Sequence, residues 1–171
     1  MWYGTDKEEE GDGEMKIDKF GRKTQAEICE LEKRWHIALP EDYKAFLMET
    51  NGGVVKSEDE DSIHIEDVND DIYLDTLFGI DTEAQEVDAV YWMETYQDEI
   101  FSNALLIGFD LMQGFIVLLC GGENAGVYYW DDAHNFKGSD DENNVYFLAD
   151  SFSELLKKGR YEGIEEPPDG K

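Results

Sequence analysis

Apolar and polar positions follow two different periods along this chain, and the change of period divides it. From Thr24 to Asn51 the spacing is helical. Thr24-Gln25-Ala26-Glu27 has the form of a capping box, and Ile28, Leu31 and Trp35 then share one face at three- and four-residue steps. A second helix is predicted over 40–50. Pro40 suits a first helical position, Glu41 and Asp42 place negative charge on the positive end of the dipole, and Tyr43, Phe46 and Leu47 form one stripe. Asn51 and Gly52 tolerate the left-handed conformation that ends a helix.

Beyond Gly53 the period falls toward two. Ile63-His64-Ile65 alternates like a short strand, and residues 72–80 read as another. A helix is predicted over 83–99, with Val87, Val90, Tyr91 and either Glu94 or Tyr96 along its sides. Strands follow at 105–109, 115–120, 126–130 and 145–148, and Gly114, Gly121-Gly122 and Gly126 punctuate them as hairpin turns do. Ser151-Phe152-Ser153-Glu154 opens a closing helix whose end carries Lys157, Lys158 and Arg160, cations suited to its negative pole. Residues 1–23 form an acidic, glycine-containing lead-in from which Trp2, Tyr3, Ile17 and Phe20 could dock. Residues 161–171 form a frayed tail. No internal repeat is visible. The order predicts a single α+β domain over 24–160: an N-terminal helical pair, a mostly antiparallel mixed sheet with an inserted helix, and a C-terminal closing helix.

Charge changes the picture more than length does. The 171 residues carry a formal net charge of −28. Between Lys56 and Lys137 there is no Lys or Arg, while residues 57–136 hold twenty Asp and Glu. Salt bridging to a lysine or arginine inside that segment is impossible, so its self-repulsion must be tolerated. Such a field attracts a basic protein and repels the phosphates of nucleic acid, which excludes direct nucleic-acid binding. No apolar run approaches the roughly 20 residues that span a bilayer, and no secretory leader is visible near Met1, so a soluble cytoplasmic protein without a membrane partner is expected. Cys29 and Cys120 lie far apart with no metal or redox spacing, and both are expected to be inert and buried.

The candidate chemistry is thin. His36, His64 and His134 are too scattered to spell a metal motif. Asp67-x-Asn69-x-Asp71 imitates half of a calcium loop, but Ile72 stands where the sharp turn needs glycine. The stretch Gly121 to Gly126 lacks the lysine of a phosphate loop and reads as a turn. Carboxylate pairs are too common in this composition for one to stand out as an acid and base. No catalytic constellation, cofactor site or metal site is therefore expected, and a small hydrolase hidden among the carboxylates ranks last.

Three blocks carry a resemblance. The first is Leu31-Glu-Lys-Arg-Trp35 followed by Leu39-Pro-Glu-Asp-Tyr-Lys-Ala-Phe-Leu47 and Asn51-Gly-Gly53. The second is Gly126-Val-Tyr-Tyr-Trp-Asp-Asp132, and the third Ser151-Phe-Ser-Glu-Leu-Leu156. In order and spacing these resemble the SUKH superfamily of Smi/Knr-like domains, over roughly residues 24–160. The resemblance implies an immunity protein that binds and neutralises a cognate protein toxin, in many cases a basic nuclease. A regulatory or scaffold module sharing the domain is the alternative. For partner binding the sequence offers one acidic cluster, Glu58, Asp59, Glu60, Asp61, Glu66, Asp67, Asp70, Asp71 and Asp75. A second rim comprises Asp131, Asp132, Asp140, Asp141 and Glu142. Tyr91 and Trp92, with Tyr73 and Tyr96 behind them, are the candidate aromatic anchors.

Overall fold

The computed structural model describes residues 16–56 and 62–161, with the side chains of 159–161 excepted. Helix α1 (Gln25–Trp35) starts where the capping box places it. The Glu27 amide donates to Thr24 Oγ1 at 3.1 Å, and the Thr24 amide donates back to Glu27 Oε1 at 2.9 Å. Helix α2 (Glu41–Thr50) begins one residue later than its proline suggested. Pro40 is the extended residue before the helix (φ −62°, ψ 150°), not its first member.

The end of α2 explains the wording Asn-Gly-Gly. Asn51 is left-handed (φ 49°), and its buried side chain bridges to Ile80, just past the strand that ends at Leu77. Its Oδ1 accepts from the Ile80 amide at 2.9 Å, and its Nδ2 donates to the Ile80 carbonyl at 3.2 Å. Gly52 (φ 79°) lies so close to this strand that a Cβ there would stand 2.5 Å from the Leu77 carbonyl oxygen. The helix terminus and the sheet are thus welded by backbone approach, which only glycine permits.

Eight strands form the sheet: β1 (Lys16–Lys19), β2 (Gly53–Lys56), β3 (Ser62–Ile65), β4 (Asp70–Leu77), β5 (Ala104–Asp110), β6 (Phe115–Leu119), β7 (Gly126–Trp130) and β8 (Val145–Ala149). Their order is β1-β2-β4-β5-β6-β7-β8, with β3 paired to the first half of β4. Every ladder is antiparallel; a parallel contact occurs at the isolated bridge Gly79 to Asp88. Strands β1 and β2 have no counterpart in the sequence reading. Each is four residues long and lacks the alternation that marks Ile63-His64-Ile65. Lys16–Lys19, assigned to the lead-in, is thereby part of the sheet.

The sheet curls until β3 lies against β8, and α4 (Phe152–Tyr161) packs across the junction. The side facing α2 and α4 is the inner face. Leu105, Ile107, Ile116, Leu118, Val127, Tyr129 and Leu148 supply it from neighbouring strands and are buried. Asp42 of α2 receives both the amide and the hydroxyl of Ser153 at 2.9 and 3.0 Å, so one helix caps the next. Phe152 then packs edge-on against Tyr43 and tilted against Phe46, at centroid distances of 5.0 and 4.8 Å. The first and last blocks of the resemblance therefore meet in space.

Two expectations are corrected. The helix over 83–99 is half as long as its pattern suggested: a 3-10 turn at Gln85–Val87 leads into α3 (Ala89–Tyr96). Asp88 is the cause, because its carboxylate accepts from the Val90 amide and the Thr82 amide, both at 2.8 Å, and so caps a new start. Cys29 is exposed, since the buried stripe of α1 passes through Ile28 and Leu31 and turns position 29 to solvent. Cys120 is buried as expected, and burial pushes its thiol pKa up to about 12.

Candidate functional site

The outer face of the sheet is built from the alternate residues of the same strands, and α3 covers only half of it. Met93 is buried against β5, where its sulfur accepts from the Leu106 amide at 3.4 Å. Around it Phe78, Phe109, Trp92, Tyr96, Phe115 and Trp130 interlock, with Trp92 to Phe115 and Tyr96 to Trp130 both at 5.3 Å. The Trp92 indole N–H donates to the Glu86 carbonyl at 3.0 Å. Trp92 is thus held on every side it can bond; it and Tyr91 remain half-buried, with their rings 5.0 Å apart.

Past Tyr96 the helix stops and the face lies open. A groove of about 640 Å³ runs there, floored by Ala104, Val117, Leu119 and Tyr128 and flanked by Phe101 and Val145. Phe101 is 73% exposed and Val145 55%, high values for such side chains. Glu99, Asp132 and Asp141 stand on its rim, with His134 Nε2 3.4 Å from Asp141 Oδ1. Burial and the neighbouring Asp132 and Glu99 charges raise the Tyr96 phenol above its ordinary pKa, which reports the negative potential at this end. The groove lining contains no Lys or Arg.

The acids of the second rim play separate parts. Asp131 is wholly inaccessible. Its carboxylate accepts from the Asn135 amide at 2.8 Å, the Phe136 amide at 2.9 Å and the Ser139 hydroxyl at 2.5 Å. It builds the loop that carries Asp132 and cannot itself touch a partner. Asp140 closes a turn by accepting from the Glu142 and Asn143 amides, both at 2.9 Å, and those bonds lower its pKa. Asp132, Asp140, Asp141 and Glu142 all face solvent.

The first cluster divides as well. Glu58, Asp59, Glu60 and Asp61 lie outside the described residues. Glu66 and Asp67 occupy the β3–β4 turn and are exposed, as is Asp70. Asp71 pairs across the ladder with His64 at 2.7 Å, and Asp75 accepts from the Thr76 hydroxyl at 3.0 Å. Glu66, Asp67 and His64 line a second cleft with Phe147, Leu148 and Lys158. Phe147 packs edge-on against Tyr128 at 5.6 Å, so the two clefts meet across one aromatic pair. The curl of the sheet brings Glu66 and Asp67 to one end, and Asp132 and Asp141 to the other, of a single apolar strip on β7 and β8.

Sequence reasoning missed that strip. Its signal was present: β7 and β8 are apolar at successive positions, so both faces want cover, yet only one inserted helix is available to the outer face. Among the described residues no group of three or more His, Cys, Asp and Glu is arranged to hold a metal ion, and no helix is long and apolar enough to cross a membrane.

A family model described as the SMI1 / KNR4 family (SUKH-1) matches residues 23–158, and the chain belongs to that family. Membership points to a protein partner. No curated protein matches the chain.

Proposed function

We propose that this protein is an immunity protein that binds a cognate toxin, a basic nuclease effector, and neutralises it by covering its active site with acidic surface. Family membership supplies the class, and the observation that carries the nuclease reading is charge of a single sign: residues 57–136 hold twenty acidic and no Lys or Arg side chains. A nuclease cleft is basic because it grips phosphates, so an acidic protein can occupy it as a mimic of the nucleic-acid backbone. Complementary charge would also raise the association rate toward roughly 10⁸ M⁻¹s⁻¹ at low salt, against about 10⁵–10⁶ for neutral pairs. Fast capture matters where free toxin damages the cell that makes it. Nothing in this action requires a catalytic group.

The test is co-expression with the product of the neighbouring reading frame, followed by co-purification at low and at high salt. Protection of the cell and a one-to-one complex that weakens as salt rises are expected. Reversing Asp70 and Asp71 to lysine should lower affinity without unfolding the domain. A neighbour that is harmless, or one whose toxicity persists beside this protein, would overturn the reading.

A further inference from the structure

The open half of the outer face is an apolar surface without a covering element among the described residues, and its surroundings specify what could cover it. Tyr128, Val145 and Phe147 form a strip along β7 and β8, continued by Phe101 across the groove. Carboxylates close both ends: Glu99, Asp132 and Asp141 at one, Glu66 and Asp67 at the other. A cation stands at the second end: Lys158 Nζ donates to the Leu148 carbonyl at 2.7 Å and lies 6.0 Å from the Phe147 ring, against two carboxylates there and three at the other end. A second copy of the chain is a poor occupant, because it would bring another −28 charge and set carboxylate against carboxylate.

We propose that this strip docks a segment of the partner in which apolar anchors are flanked on both sides by Lys or Arg, the anchors filling the groove between Phe101 and Val145 and the cations meeting the two acidic ends. The inference rests on the toxin-binding reading for the identity of the partner, and it moves the centre of the interface from the β3–β4 acids to the β7–β8 face. The division of labour follows from ordinary interface energetics. Desolvated apolar and aromatic anchors at the centre hold the complex, while rim charges guide the approach.

The experiment is an NMR titration of the isotopically labelled chain with three synthetic peptides. One has a central leucine–phenylalanine pair flanked by lysines, one has the same centre flanked by glutamates, and one has lysines around a glycine centre. The first should bind with shifts centred on Phe101, Tyr128, Val145 and Phe147; the other two should bind at least about tenfold more weakly. Val145→Lys and Phe101→Ser, both at exposed positions, should each weaken the first peptide about tenfold while leaving the melting temperature in place. Equal binding of the lysine–glycine peptide, shifts centred on Glu66–Asp75, or variants that bind like the parent would overturn the proposal. So would a dimer in light scattering that Val145→Lys dissociates. The neighbouring toxin separates the two readings. If the parent protects and the Val145→Lys/Phe101→Ser double variant protects equally well, the groove fails and the toxin reading stands. If the parent gives no protection, the toxin reading fails and the peptides still decide the groove.

Discussion

The two faces of the curled sheet are made from the same strands, yet one is closed and the other is half open. On the inner face Tyr129 and Leu148 of β7 and β8 are covered by α4 and by the 136–139 segment, and Phe152 seals the junction with α2. On the outer face their sequence neighbours Tyr128 and Phe147 pack edge-on against each other, with Lys158 Nζ 6.0 Å from the Phe147 ring. Among the described residues no helix or loop covers Phe147, which stays 46% exposed. Helix α3 ends at Tyr96 and leaves them uncovered. Folding uses the first face. The second is left available, and its apolar content, ringed by acids, is what a binding protein can use.

The sharpest test of that contrast is to truncate one residue on each face. Phe152→Ala should cost about 3–5 kcal/mol, read from the denaturant midpoint, because the ring is 1% exposed and joins α4 to Tyr43 and Phe46 of α2. A loss below about 1 kcal/mol would mean that the inner face can collapse around the gap.

Asp131→Ala tests the frame of the open face. It strands the Asn135 and Phe136 amides, leaves the Ser139 hydroxyl only its Tyr146 partner, and should cost about 2–3 kcal/mol, with amide exchange accelerating over 132–139 before the rest of the domain. Uniform acceleration would show that the rim loop is part of the global unfolding unit.

Asp110 offers a pH test. Its buried carboxylate accepts from the Gly114 amide and the Tyr129 hydroxyl, both at 2.9 Å, while its second oxygen has no partner among the described residues, and burial raises its pKa. A raised folded pKa means that the folded state holds the proton more tightly. The resulting stabilisation is full below the unfolded pKa of about 4 and is lost as pH rises through the raised folded value. Asp110→Asn keeps the accepting oxygen, so the parent-minus-variant difference in stability should fall across that window and level off above it. A flat difference would refute the assignment. The smallest effect is expected from Val145→Lys, which should change stability by less than about 0.5 kcal/mol, read from the melting curve. A larger loss would mean that the strip contributes to folding and is not spare surface.

Much of the fold is legible in the sequence because the decisive signals are local. Thr24 and Glu27 lie within one turn, Asn51 and Gly52 end a helix by their own backbone preferences, and β5 to β8 are long enough to show their runs. Strands β1 and β2 escaped notice because Lys16–Lys19 and Gly53–Lys56 show no apolar–polar alternation, and they pair only after two helices intervene in the chain. The binding candidates were legible only as composition. That Asp131 and Asp132, adjacent in sequence, face in opposite directions depends on which hydrogen bonds the following loop can make.

By itself the sequence determined the limits of α1, the end of α2, the α+β class, the family wording and the one-sided charge, since each is a property of neighbouring residues or of their sum. Tertiary structure alone decided which acids are spent on loops and that Glu66 and Asp132 flank the same apolar strip. It also decided that α3 stops short of β8. Those facts arise from curling the sheet until β3 meets β8, a long-range closure that no local spacing encodes.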